Sequence, residues 1–108
     1  MKKIVQLEAF RKEIAGFPKE TREDLFSLIY RYLNNERLHR SCFKTFWIDK
    51  GYRIQEFKVK DFRGNWRAIS CLYQKENLVL IHAFHKKTQS LTEKERRIIR
   101  NRMKGLFL

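Results

Sequence analysis

Lys58, Lys60, Arg67, Lys86 and Lys87 are cations set inside or at the ends of apolar runs. Those runs are Ile54-Gln55-Glu56-Phe57-Lys58-Val59-Lys60, Trp66-Arg67-Ala68-Ile69-Ser70-Cys71-Leu72-Tyr73 and Leu78-Val79-Leu80-Ile81-His82-Ala83-Phe84-His85-Lys86-Lys87. Each is β-branched or aromatic and bounded by turn-type residues, which predicts three consecutive strands. Strand side chains project rigidly and alternate between faces, so cations on a sheet are better placed than those on a loose tail to grip a polyanion. Arginine clasps two phosphate oxygens and stays charged at any relevant pH, which suits Arg67 to bind phosphate. Lys58 and Lys60, two residues apart, share a strand face, and neighbouring ammonium groups disfavour each other's charge, so either suits the role of a base. Of Lys86 and Lys87 only one should reach that site. Imidazole ordinarily titrates near neutrality, and strict alternation puts His85 on the face of Lys87, as a candidate proton donor or a surface histidine at a strand end. Glu56 falls on the face of Lys58 and can simply pair with it. His82, deep in an aliphatic run, reads as a hydrogen-bonded core histidine. The chemistry such a set can perform is metal-free RNA cleavage. The 2′-hydroxyl attacks, a base takes its proton, an acid protonates the leaving oxygen and cations stabilise the phosphorane.

The composition agrees with an anionic partner. Twenty-five basic residues against 12 acidic ones give a net charge of +13 over 108 residues. Residues 52–108 hold 14 of the basic residues and only 5 of the acidic ones. Such an excess costs self-repulsion, and nucleic acid is its usual reason. Arg63, Lys86, Arg96, Arg97 and Arg100 are further candidates for RNA contact. No His, Cys or carboxylate constellation fits a metal and no Gly-rich loop fits a phosphate, so neither a metal-dependent nuclease nor an NTPase is expected, and no cofactor. Cys42 and Cys71 have no CxxC spacing, and Cys71 reads as a small buried hydrophobe. No apolar run is long enough for a membrane span and the N-terminal residues do not form a secretory signal, so cytoplasm is the expected compartment.

The remaining elements form a frame around the strands in one domain, residues 1–108. Ile4 and Val5 predict a short strand. Leu7, Phe10, Ile14 and Phe17 follow a helical spacing that Gly16 and Pro18 end. A second helix opens with Glu20, Glu23 and Asp24, carries the stripe Leu25, Leu28, Ile29, Tyr32 and Leu33, and ends at Asn34-Asn35. Residues 36–51 read as a loop that packs Phe43, Phe46, Trp47 and Ile48 under the helical hairpin. Thr92 and Glu95 match a capping box opening a last helix through Ile98, Ile99 and Met103 to about Gly105. Its other side carries Arg96, Arg97, Arg100, Arg102 and Lys104, and Leu106-Phe107-Leu108 reads as a free apolar tail. The expected fold is α+β. An antiparallel sheet, made of the short N-terminal strand and the three consecutive strands, packs against the N-terminal hairpin, with a C-terminal helix.

With these elements in this order, the chain resembles the RelE/ParE toxin superfamily, and most of all its HigB-type, phage-derived branch in type II toxin–antitoxin systems. The residues that carry the likeness are Glu56-Phe57-Lys58-Val59-Lys60, then Trp66-Arg67-Ala68-Ile69, then Leu80-Ile81-His82-Ala83-Phe84-His85-Lys86-Lys87-Thr88-Gln89, and the helix opening Thr92-Glu93-Lys94-Glu95. The resemblance implies a RelE-like fold and a ribosome-dependent mRNA endonuclease that inhibits translation. It also implies a cognate antitoxin of the helix-turn-helix kind as partner, beside mRNA and the ribosome. Lys58, Lys60, Arg67 and Lys87 match the family's RNA-gripping, RNA-cleaving cluster. The chain departs from it in one respect: no Tyr or His follows His85. Two other readings stay open, a non-catalytic RNA- or ribosome-binding protein, which that departure favours, and a ParE-like gyrase inhibitor, against which the four cations argue.

Overall fold

Alternation of buried apolar residues drives three long strands together, and two short strands flank them. The computed structural model describes residues 2–49, 51–87 and 91–107, the side chain of Phe107 excepted. In chain order its elements are β1 (Lys3–Gln6), α1 (Glu8–Ala15), α2 (Lys19–Leu33), β2 (Phe43–Ile48), β3 (Tyr52–Asp61), β4 (Gly64–Tyr73), β5 (Asn77–Lys86) and α3 (Glu93–Phe107). The strands form one sheet in the order β1-β5-β4-β3-β2. The architecture is mixed α+β, a five-stranded sheet with three helices.

Two features correct the expected sheet. First, it is not wholly antiparallel: β1 runs parallel to β5, with Ile4 opposite Leu78 and Val5 opposite Val79. β5 is apolar on both faces and needs a ladder on each edge. No hairpin ties β1 to it, because α1 and α2 carry the chain away first, so a parallel pairing is open to it. Second, residues 36–51 are not simply a loop. Phe43–Ile48 pairs antiparallel with β3, from Phe43 opposite Phe57 to Ile48 opposite Tyr52. Its aromatic and β-branched residues suit a strand. As an edge strand it lacks clean alternation, and Trp47, expected to pack, is 61% exposed. Phe43 does pack, its ring 5.0 Å from Tyr32 and 5.3 Å from Phe57.

The helices divide between the two faces. Phe10 and Ile14 of α1, with Leu25, Leu28 and Ile29 of α2, cover Phe57, Trp66, Ala68, Leu78 and Leu80. On the other face Ile99 and Met103 of α3 pack with Ile54, Ile69, Cys71, Val79, Ile81 and Phe84. Fully burying one such side chain contributes roughly 1.5–3 kcal/mol relative to exposure. Both cysteines are free, and burial pushes the Cys71 thiol up to about 11.

Half of the capping box forms. Thr92 Oγ1 accepts the Glu95 N–H at 3.3 Å, but the Glu95 carboxylate is drawn away to His82 and Lys86. The helix continues past Gly105, and Leu106 packs half-buried on the core rather than hanging free. Leu108, Thr88 and Gln89 lie outside the described residues.

The turn between β3 and β4 is tight, with Asp61 paired to Gly64 and only Phe62 and Arg63 between them. Gly64 has φ +125°, and a Cβ there would lie 2.7 Å from the Lys86 carbonyl oxygen. Gly64→Ala is therefore expected to cost about 1–3 kcal/mol of strain, read as a lower melting midpoint in thermal unfolding.

Candidate nucleic-acid interface

Register stacks the sequence's cations into cross-strand rows on the face that α3 shares. Lys58 lies opposite Arg67, which lies opposite Phe84. One row nearer the β3–β4 turn, Lys60 is opposite Asn65, itself opposite Lys86. One row inward, Glu56 is opposite Ile69 and then His82. Lys58 and Lys60 do share a face, and Arg67 and Lys86 join it.

Burial sorts these groups. Arg67 is 0% exposed, and its Nη1 donates to Glu56 Oε2 at 3.2 Å. Glu56, 2% exposed, thus pairs with Arg67 and with Lys44 at 3.8 Å. Lys58 is half-buried and Lys60 exposed. Lys86 bonds Thr92 Oγ1 at 3.1 Å and lies 3.7 Å from Glu95, so the start of α3 holds its ammonium. Lys87 stands exposed at a bend just after β5.

A cleft of about 640 Å³ opens at the turn end of the sheet, lined by Lys60, Phe62, Arg63, His85 and Lys87 together with Asp61 and Gly64. Four residues singled out by sequence meet here: Lys60, Arg63, His85 and Lys87. The His85 ring stacks on Trp66, centroids 3.9 Å apart. Its Nε2 lies 2.7 Å from the Arg63 carbonyl oxygen. A carbonyl only accepts, so Nε2 carries the proton and Nδ1 is the nitrogen able to exchange one with a ligand. Since His85 shares a row with Trp66, it projects on the face opposite Lys58 and Arg67, and meets their neighbour Lys60 only at this end of the sheet. Arg63 is fixed by Asp61, through Nη2 at 2.7 Å and its backbone N–H at 2.8 Å. The Arg63 guanidinium, aided by the Arg63 and Trp66 N–H groups, holds the Asp61 carboxyl below its usual range.

The other candidates divide. Arg97 is exposed and Arg96 half-buried. Arg100 is tied to Asp49 at 2.7 Å and approaches Glu93 at 3.7 Å. Arg102, expected beside them on the charged side of α3, instead turns inward to Glu13, at 2.8 and 3.0 Å.

That contact belongs to a network the sequence did not reveal. His82 is 3% exposed. Its Nδ1 lies 3.0 Å from Glu13 of α1, and its Nε2 hydrogen-bonds Glu95 of α3. Burial alone would raise the Glu13 carboxyl, but hydrogen bonds from His82, Arg102 and the Ala83 N–H outweigh it and bring it from 4.5 to about 2. Glu13 sits at the edge of the Phe10–Ile14–Phe17 stripe, the one hint of its burial in the sequence. Glu95 was masked by its match to a capping box.

Among the described residues, no helix is long and apolar enough to cross a membrane, and no group of three or more His, Cys, Asp or Glu is arranged to hold a metal ion. Residues 3–104 match the family described as phage derived protein Gp49-like (DUF891). The chain belongs to that family. Gp49-like proteins are RelE/HigB-like and associated with toxin–antitoxin toxins. No curated protein matches this Gp49-like chain. The family match runs from the start of β1 into α3 and takes in all the residues that line the cleft of this Gp49-like chain.

Proposed function

We propose that this Gp49-like protein is a HigB-type toxin of RelE-like fold, an endoribonuclease that cuts messenger RNA in the translating ribosome and so stops translation. The observation that supports it best is the gathering of Lys60, Arg63, His85 and Lys87 around one open cleft, with Lys58 and Arg67 in the adjoining row. Exposed Lys60 and Lys87 grip the phosphate flanking the scissile bond. Lys58, in the adjoining row, takes the proton of the 2′-hydroxyl, whose oxygen attacks phosphorus. Protonated His85 gives its Nδ1 proton to the departing 5′-oxygen, leaving a 2′,3′-cyclic phosphate and a 5′-hydroxyl. Arg67, buried against Glu56, acts from beneath, steadying the face that carries Lys58. No resident metal or cofactor enters this chemistry. The partner that restrains it is a cognate antitoxin of the helix-turn-helix kind.

A second reading, a binder that holds RNA or ribosome without cutting, draws on the burial of Arg67 and on the opposite facing of His85 and Lys58. The two part on one substitution. In a purified translation reaction, a message with a single 2′-deoxynucleotide at the mapped cut site should lose cleavage there entirely. Unchanged cleavage of that message would exclude the 2′-hydroxyl mechanism, and an intact ordinary message would leave the binder.

A further inference from the structure

Phe62 is the most exposed large hydrophobic side chain described, 95% accessible at the tip of the β3–β4 turn. A turn residue with no core to enter is ordinarily polar, and one exposed phenyl ring alone means little. Its setting is what distinguishes it. The Arg63 guanidinium carbon lies 5.2 Å from the Phe62 ring centre and 5.1 Å from that of Trp66. Trp66 in turn stacks on His85 at 3.9 Å with an interplanar angle of 17°. The result is a ladder of flat groups, Phe62, Arg63, Trp66 and His85, that begins in the sheet and ends in solvent. The Asp61 carboxylate locks the arginine rung by accepting from the Arg63 guanidinium and the Arg63 backbone N–H, and the close approach of Gly64 to Lys86 fixes the turn that carries it. Lys60 and Lys87 line the same cleft.

We infer that Phe62 is a stacking platform for one unpaired RNA base at the mouth of the cleft, with Lys60 and Lys87 receiving the flanking phosphates. The surroundings favour RNA over a protein partner. A phenyl ring beside fixed cations offers a base its face and the backbone its counter-charge. Among the described residues, Phe62 is the one large apolar side chain in the lining of this cleft, so it has no apolar neighbours there with which to enclose a partner's residue. The inference deepens the nuclease reading by naming its substrate as single-stranded RNA with a base turned out of its stack.

Its test needs no cleavage. Binding of a short unstructured oligoribonucleotide is followed by fluorescence anisotropy, beside copies carrying one abasic position at successive sites. Phe62→Ala should weaken binding on the order of tenfold, while Phe62→Trp keeps it. One abasic position should cost wild type a similar factor and cost Phe62→Ala almost nothing, which a purely structural role would not produce. Lys60→Ala, by contrast, should flatten the salt dependence, which Phe62→Ala leaves unchanged. Equal binding by wild type and Phe62→Ala, or no binding by wild type, overturns the platform. So does a Phe62→Ala protein that binds RNA normally but no longer associates with its antitoxin, since Phe62 would then be a protein contact. Phe62-dependent binding by a protein that leaves messages intact would keep the platform and refute the nuclease. Message cleavage with Phe62-independent binding would do the reverse.

Discussion

Arg67→Met is expected to cost about 3–5 kcal/mol of stability, because it strands a carboxylate in the interior. Arg67 is wholly buried and holds Glu56, which is itself 2% exposed. With the guanidinium gone, Glu56 keeps Lys44 at 3.8 Å, a longer contact reaching in from the edge strand. Native stabilities are only about 5–15 kcal/mol, so the loss should be large in urea unfolding. The partner change discriminates. Arg67→Met with Glu56→Leu removes both charges, and most of the lost stability should return. If the single variant were as stable as wild type, Arg67 would not be the counter-ion that holds Glu56. Arg67 is for the same reason a poor sole probe of catalysis, since its loss of activity would be mixed with loss of fold.

His82→Leu should be the other large effect, about 3 kcal/mol or more, felt mainly at α3. His82 joins Glu13 of α1 to Glu95 of α3 through β5. In the variant Glu13 retains Arg102, while Glu95 is left with Lys86 at 3.7 Å. The amides of residues 93–107 should then exchange with solvent faster than those of α2. Uniform change across both helices would contradict a local clasp. The network also makes a pH signature. The Glu13 carboxyl is depressed from 4.5 to about 2, so its contribution is complete above 4.5 and is lost as pH falls toward about 2. Wild type should lose stability across that window more steeply than Glu13→Gln.

How much of this was legible depends on the range of each cause. Both N-terminal helices and the three long strands follow from periodicity within one segment, which places their ends to within a few residues. The Thr92 cap is equally local. β2 was not legible because an edge strand needs no alternation, so Phe43 to Ile48 looked like aromatics in search of a core. The parallel seating of β1 depends on where α1 and α2 deliver the chain, which no short window contains. At the site, the shared face of Lys58 and Lys60 was a matter of counting by two. Burial of Arg67 was not, because it depends on Glu56 eleven residues away on another strand. The recruitment of Glu13, Glu95 and Arg102 around His82 is longer in range still, and it defeated local readings of all three charges. Phe62 carries no signal in the sequence because a turn gives an aromatic no pattern to belong to.

The proposed nuclease reaction places the cutting of messenger RNA on the β3 lysines, Lys58 and Lys60. It is tested most directly by mapping 5′ ends of messenger RNA in bacteria after induction, wild type beside Lys58→Ala/Lys60→Ala. Lys58 is half-buried and Lys60 exposed, so the double variant should keep its circular dichroism spectrum and melting behaviour. Wild type should give new ends inside coding regions, with growth arrest, and the variant should reduce them by about 100-fold or more. Growth arrest by wild type with no new ends, or undiminished cleavage by the folded double variant, would contradict it.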